Sequence, residues 1–499
     1  MLLAMRYFLL PLLALLVLTP ASRAQVPDED LWTLPNLFRK VPPLKHDNTG
    51  RFPMIAIAEF QLDPSDKSWR EAKPFPPEII RELKARGLTQ WIPPDVKYIP
   101  FAQALQAEGA GVIMMQGYAF NGPPDLAKET SMHILPEGYK GKNRPGQQPV
   151  FPCPLVLDGW IIKQAELRET FRKFKEAGVK IDAVWWDWEI EPSWREAQWD
   201  EARNCSRCRQ QFPPGVLDDQ DMYRRFIAQW RVQLFSAYFV APILESYPNC
   251  SVTNWEEIIS TPQHRTPAWS GRYLWPVKDI GMYTAANPVA YGNTIWKRYN
   301  WKDEWGWPLD ETHMDRVYTS VMLNQISVHE RNNQLVSPWK QSIPWVDRFC
   351  ADDRDPSIPI LTRPRYREIL RHCWLRGADG MQIFNPKWFP EDPAKMRIMT
   401  EEIEDAVLIY DEMLAFREFL DNGQVMNTET LTPPHDGPVW SGLRLGNRAV
   451  VRAFTQAKEP VKFKITPFDG AGEIELDAPP EGKTFLLTLN GDQVTVEAK

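Results

Sequence analysis

With 499 residues, 43% hydrophobic and 25% charged, the chain is too long for one ordinary domain and too apolar for global disorder. The formal net charge is -7 and no long basic run occurs, which argues against nucleic acid as a partner. The 22 Trp are high for the length; most must fill a core, and an enriched remainder suits a cleft that stacks on flat apolar faces, such as those of sugar rings.

The N-terminal stretch "MLLAMRYFLLPLLALLVLTPASRAQ" reads as a secretory signal over residues 1–24. Arg6 supplies the positive start, Tyr7 to Leu18 the apolar run, and Ser22-Arg23-Ala24 the small-x-small cleavage pattern. The apolar run is too short to span a bilayer securely. The expectation is a secreted or periplasmic protein that leaves the membrane after cleavage.

Strand-like and helix-like segments then alternate. "PMIAIAEF" (53–60) is a strand and "PPEIIRELKARG" a helix stopped by Gly87. "LTQWI" is a second strand, followed by "IPFAQALQAEG"; "GVIMMQG" (111–117) is a third, with a long Pro/Gly-rich loop to about 158. "QAELRETFRKFKEAG" is an amphipathic helix, with Leu167, Phe171 and Phe174 at helical spacing and Gly178 as its stop. "KIDAVWWDWE" is the fourth strand, "CSVTNW" the fifth, "DIGMYTA" the sixth, "SIPWVDR" the seventh and "GMQIFN" the eighth, each separated from the next by a helical segment or a long loop. A helix over 398–421 closes the series. Parallel neighbours need crossover connections, so eight strand-then-helix units predict an α/β (β/α)8 TIM barrel over 25–425, with long insertions at its C-terminal face. From about 430 the pattern changes to alternating polar and apolar residues with turns at "LGN", "FDGAG" and "LNGD". This predicts a small C-terminal β-sandwich over 430–499.

The fourth strand carries the chemistry. Side chains alternate along a strand, so Ala183, Trp185, Asp187 and Glu189 share one face, while Val184, Trp186 and Trp188 share the other. If Asp187 points into the barrel, Glu189 does too, at the C-terminal mouth. Two acids so placed lie roughly 6–7 Å apart at Cα and push their pKa values apart. One can then stay protonated as a general acid while the other stays charged, the arrangement glycoside hydrolysis needs. The plainer reading is a pair of acids that salt-bridges loop arginines such as Arg195.

"DAVWWDWE" resembles the D-x-x-D-x-D-W-E signature of chitinase-like glycoside hydrolases, with Asp182, Asp187 and Glu189 matching and Trp185 in place of the second acid. "DWEIEPSWREAQW" also resembles the D-W-E-x-W-R-P run of hyaluronidases. The resemblance implies Glu189 as general acid and Asp187 as the residue that orients a 2-acetamido group. It also implies Tyr283, in "GMYTAAN", as a catalytic tyrosine on strand six, although the Asp that follows it in those families is absent. The other strand ends offer substrate-binding candidates: Gln116, Asn254, Trp255, Asp347 and Asn385, together with Trp185 and Trp194 beside the acids. Asp347 or Glu256 is an alternative nucleophile opposite Glu189, which would make a two-carboxylate retaining enzyme.

Other chemistries find no pattern. The seven His form no HxxxH pair, no phosphate-loop spacing occurs and no G-x-S-x-G elbow is present, so neither cofactor nor metal ligand is assigned. Cys205 and Cys208 form a lone CxxC, read as a loop-bracing disulfide or a thiol pair. Cys153, Cys205, Cys208 and Cys350 all fall in loops on one face, which leaves mutual pairing or a structural metal open. The expected function is a secreted glycoside hydrolase acting on a carbohydrate, and the rival is a non-catalytic glycan-binding protein on a degraded barrel.

Overall fold

A computed structural model describes residues 33–56, 60–63, 66–68, 70–118, 133–139, 153–188, 196–255, 257–261, 264–271, 275–276, 281–291, 311–335, 341–348, 360–384, 392–432, 435 and 437–499. The signal segment therefore lies outside the described residues. No described helix is long and apolar enough to cross a membrane.

Eight parallel strands close into a ring. Met54–Ala56 pairs with Leu88–Gln90 on one side and Gln382–Ile383 on the other. A bridge from Ile92 to Met114 joins the second strand to the third, Ile113–Tyr118. The third pairs with the fourth, Ala183–Trp188, and the fourth with the fifth, Ser251–Asn254. The Thr284 N–H donates to the Val252 carbonyl at 3.0 Å and carries the ring to the sixth strand. That strand comes in two pieces, Ala285–Ala286 and Val289–Tyr291, which pair with Gln341–Ser342 and Trp345–Asp347 of the seventh. The seventh pairs with the eighth, Gln382–Ile383, and the barrel is complete.

Helices cover the outside, so both faces of the sheet are buried. Ile55, Ile113, Met115, Ala183, Trp185, Val289 and Trp345 fill the interior. Met54, Met114, Val184, Trp186 and Val252 point instead into the layer beneath the helices. There the Trp186 ring meets Phe239 edge-on at 4.6 Å and Phe235 at 6.3 Å. The expected helix stops hold: Gly87 and Gly178 have φ of 68° and 73°, and a Cβ at Gly87 would also sit 2.8 Å from the Tyr410 ring.

Two elements depart from expectation. The sixth strand starts at Ala285, where the expected one ends, and Pro288 splits it into two pieces. The insertion after strand five is itself β-structured: Glu257–Thr261, His264–Gly271 and Trp275–Pro276 form a small antiparallel sheet.

The C-terminal part is a five-stranded antiparallel sheet in the order Gln424–Val425, Val439–Leu445, Arg448–Phe454, Lys483–Asn490, Gln493–Ala498. Its first strand lies before residue 430, directly after the last helix, Arg417–Asn422. The hairpin Val461–Ile465/Ile474–Ala478 covers one face through Phe463, Ile465 and Leu476. The other face, through Val439, Leu443, Val450 and Phe454, joins the same core as the barrel helices.

A polar weld crosses that junction. Arg452 donates to Glu368 from Nε at 2.8 Å and from Nη2 at 2.6 Å. Glu368 lies on the helix Arg363–Trp374, between the seventh and eighth barrel strands. Arg452 also reaches the Thr484 hydroxyl at 3.0 Å and the Glu481 carbonyl at 3.2 Å. The turn at Gly482, with φ of 75°, allows this approach; a Cβ there would collide with both charged groups. Burial alone would raise the Glu368 pKa, but His372 and Arg452 outweigh it and push it down to about 2. His372 is itself held neutral by burial, down to about 4, although Glu368 pulls the other way.

Breaking a buried ion pair strands one charge, so Arg452→Ala should cost about 3–5 kcal/mol in urea unfolding, with the barrel and C-terminal sheet melting in one transition. A loss under about 1 kcal/mol, or two separated transitions, would contradict the weld. The pH dependence has a definite sign. His372 has a folded pKa below its ordinary 6.5, so its contribution declines as pH falls from about 6.5 towards 4. Glu368, depressed from 4.5, loses its contribution between about 4.5 and 2. Thermal midpoints should fall over both windows in the parent, and the lower window should shrink in Glu368→Gln.

Candidate functional site

The C-terminal mouth of the barrel follows from strand parity. Met115, Trp185 and Thr253 are cross-strand partners on the inner face, while Gln116, Trp186 and Asn254 are partners on the outer one. Position 187 pairs with Gly117 and continues the inner register of 183 and 185. The Asp187 side chain lies outside the described residues, as do Glu189, Trp194, Glu256, Asn385 and Cys350.

Register corrects three site expectations. Gln116 and Asn254 both stand beside Trp186, on the side of the sheet that faces the helices. Asn254 is buried there and donates its amide to the Trp255 carbonyl at 2.9 Å. Tyr283 precedes the sixth strand instead of ending it, and its ring packs edge-on to Phe235 of the helix Gln220–Phe235 at 5.3 Å. None of the three belongs to the inner wall. Strands three and five end on a position of outward parity, so the end of each belongs to the helix layer.

The residue that ends strand six on the inner face is Tyr291. Its ring lies 4.2 Å from Phe384 and 6.4 Å from Trp345, centroid to centroid. Trp255 donates from Nε1 to the Tyr291 hydroxyl at 3.4 Å. Trp185, Trp255, Tyr291 and Trp345 thus share one buried cluster, with Phe384 packed against it. The signal for Tyr291 is present in "NPVAYGN", where Val289 and Tyr291 alternate up to Gly292. The Asn287 side chain makes up for the missing donor at Pro288: it gives a hydrogen bond to the Ile343 carbonyl at 2.7 Å and accepts one from the Trp345 indole.

Asp347 ends the seventh strand. It pairs with Tyr291 in register, on the inner face, and is buried. Behind it lies Glu402 of the helix Pro393–Leu414, which accepts the Arg348 N–H at 2.5 Å. Burial first, then the nearby charge of Asp347, raise the Glu402 pKa well above the carboxylate range. Glu402 sits in a helix whose periodicity marks it only as one more acid, so the sequence did not single it out. Asp182, the first acid of the motif, serves the opposite end of the barrel. Its Oδ2 accepts the Val112 N–H at 2.8 Å and braces strand four against strand three. It also borders a cavity of about 780 Å³ at the N-terminal mouth, with Arg51, Gly111 and Ser251, on the face that serves stability rather than chemistry in this fold.

Beside the mouth, Cys153, Cys205 and Cys208 come together with His133, a residue the sequence reading did not single out. The four ligand atoms lie within 4.8 Å of one another.

No family model matches the chain and no curated protein matches it. Solved structures do. A β-galactosidase from Halorubrum lacusprofundi aligns at TM-score 0.45 and 12% identity, over 72% of this chain and 58% of that one. The chain thus spans little more than half the galactosidase's length. An endoxylanase from Clostridium papyrosolvens aligns at 0.37 and 11%, over 89% and 98%. A maltogenic α-amylase from Thermotoga neapolitana aligns at 0.40 and 10%, over 85% and 93%.

Glu402 supplies a test of the buried acids. A carboxyl with a raised folded pKa binds its proton more tightly folded than unfolded, so it costs stability as pH rises above about 4.5. Glu402→Gln keeps the oxygen that accepts from Arg348 and removes this cost. Its thermal midpoint should exceed the parent's at pH 8 by more than at pH 4. A difference from the parent that does not grow between pH 4 and pH 8 would show that the Glu402 pKa is not raised.

Proposed function

We propose that the protein is a secreted glycoside hydrolase in which Glu189 is the general acid. The supporting observation is the register of the fourth strand. Ala183 and Trp185 lie inside the barrel, position 187 follows them on the inner register, and Glu189 is the next residue of that parity. Active sites of this fold sit at this end. Trp185, Trp255, Tyr291 and Trp345 pack against one another beneath this mouth and hold the strand ends in place. On this reading Glu189 gives its proton to the glycosidic oxygen as the bond to the anomeric carbon breaks, and recovers it from the entering water.

Two routes complete the reaction. In one, a substrate acetamido oxygen attacks the anomeric carbon, oriented by Asp187. In the other, a second carboxylate of the protein attacks. The outward turn of Tyr283 removes one part that supported the first, and buried Asp347 on the inner register favours the second.

Reducing ends released from N-acetylated and non-acetylated polysaccharides are the direct assay. Glu189→Gln should lower turnover by at least about a hundredfold with binding retained. Full activity in that variant would remove Glu189 as the acid. Asp347→Ala should lose turnover and regain it in azide on an aryl glycoside if Asp347 is the nucleophile. If Asp187 orients an acetamido group instead, Asp187→Asn should lose most activity and only N-acetylated substrates should be cleaved. Glycan binding without any cleavage by the parent would establish the rival, a binding protein on a barrel.

A further inference from the structure

The CxxC leaves a question that glycoside hydrolysis does not absorb. The fold brings these two cysteines together with a third sulfur and an imidazole. His133 lies in the segment after strand three, and Cys153 just ahead of the helix Asp158–Glu176 that follows it. Cys205 and Cys208 belong to the segment after strand four, at the start of the short helix Ser206–Gln211 and within it. We propose that His133, Cys153, Cys205 and Cys208 bind one structural Zn²⁺ that bolts the third βα loop to the fourth.

The geometry is that of a closed tetrahedral site. Zinc bonds of about 2.3 Å to sulfur and about 2.0–2.1 Å to nitrogen imply S···S edges of about 3.8 Å and S···N edges of about 3.5 Å. The Cys153 and Cys208 sulfurs are 3.5 Å apart, and the His133 Nδ1 is 3.5 Å from the Cys208 sulfur. All four ligand atoms fall within 4.8 Å. Three sulfurs and one imidazole form a donor set that suits zinc, whereas calcium and magnesium prefer oxygen.

The surroundings agree. The three cysteines share one buried apolar cluster with Val156, Ala202, Phe212 and Val216. Thiolates in such a place need a counter-charge, which a divalent cation supplies. The Ile134 N–H donates to the Cys205 sulfur at 3.2 Å, the kind of outer contact that fixes a metal-bound thiolate. Around the cluster the two segments are already tied: the Ser206 N–H donates to the Ile134 carbonyl at 3.0 Å, and the Tyr139 hydroxyl to Asp200 at 2.6 Å. A disulfide is the competing chemistry. It would join two of the sulfurs and leave the third thiol and the imidazole buried without a common task, whereas a metal employs all four. Binding needs no redox step, since each thiol gives its proton to solvent as the sulfur bonds the metal.

The proposal is independent of what the barrel mouth does, and its test needs no substrate. The full chain, purified with and without reductant, should carry about one zinc per molecule by elemental analysis. Co²⁺ in its place should give the sulfur-to-metal charge-transfer and intense visible bands of a tetrahedral thiolate site. Cys205→Ser and His133→Ala should each lower zinc affinity at least about tenfold, while Cys250→Ser, a buried cysteine outside the cluster, should bind as the parent does. Should the cluster variants fail to fold, zinc content, the Co²⁺ spectrum and the thiol count of the parent still decide. Six free thiols after denaturation in chelator, with zinc released, support the site. A parent that carries no zinc and takes up neither Zn²⁺ nor Co²⁺ overturns the proposal, as does peptide mapping that finds two of Cys153, Cys205 and Cys208 oxidised to a disulfide.

Discussion

A closed barrel of parallel strands leaves no exposed sheet face. Each strand residue must enter either the interior or the layer beneath the helices, and alternation decides which. Trp185 and Trp186 show how strict this is. They are neighbours in the chain, both fully buried, and they occupy different cores. A slip of one residue would exchange them and move every partner on the adjoining strands as well. The same constraint selects which side chains can reach the mouth. It admits Trp345, Asp347 and Tyr291, and it sends Gln116 and Asn254 to the helix side. The candidate site is thus a consequence of packing before it is a matter of chemistry.

The C-terminal sheet obeys a related rule. An antiparallel sheet with two apolar faces must be covered twice. The hairpin of Val461–Ile465 and Ile474–Ala478 covers one face, and the barrel helices cover the other. Apolar surfaces alone would let the sheet settle in several orientations. Arg452 and Glu368 accept only one, because a buried charge without its partner is costly whereas greasy contacts are forgiving. Further polar links point the same way: Ser441 of the sheet meets both His372 and Arg376 of the barrel, each at 2.8 Å. The sheet therefore acts less as an appended module than as the outer wall of the barrel's last helical unit.

What could be read from the chain follows from the range over which each signal acts. The eight barrel strands, the glycine stops and the late change to alternation are local patterns, and they return in the structure, while the described insertion after the fifth strand is β-structured instead of helical. The sixth strand is harder to read, because Pro288 interrupts it and the side chain of Asn287 supplies the hydrogen bond that lets it continue. Tyr283 therefore lies ahead of the strand, and Tyr291 is the tyrosine at its inner-face end. The three cysteines of the cluster already fall on one face in the sequence, and only their partner His133 is not legible there. His133 and Cys208 are far apart in the chain, and no spacing rule brings a lone histidine to a distant CxxC; the adjacency of strands three and four does so. Asp182 illustrates the converse. Its place in a motif suggested chemistry, but its position at the start of the strand assigns it to bracing the barrel floor.

These observations meet at the third and fourth βα segments. Insertions this long cannot all lie on the barrel, and a segment without a core of its own would leave the mouth poorly defined. Here the insertions build one: Tyr223 and Ile227 of the following helix close over the cysteines, and Phe212 stacks edge-on to Phe226 at 5.0 Å. A compact unit is thereby assembled from residues on either side of the chain that runs from Asp187 through Glu189 to Trp194. A general acid works only if its carboxyl is held within a fraction of an ångström of its target, and loops hold positions less well than strands do. The fourth segment is anchored first at its strand and again at the cysteine cluster. The cluster can thus contribute to the site without touching anything bound in it.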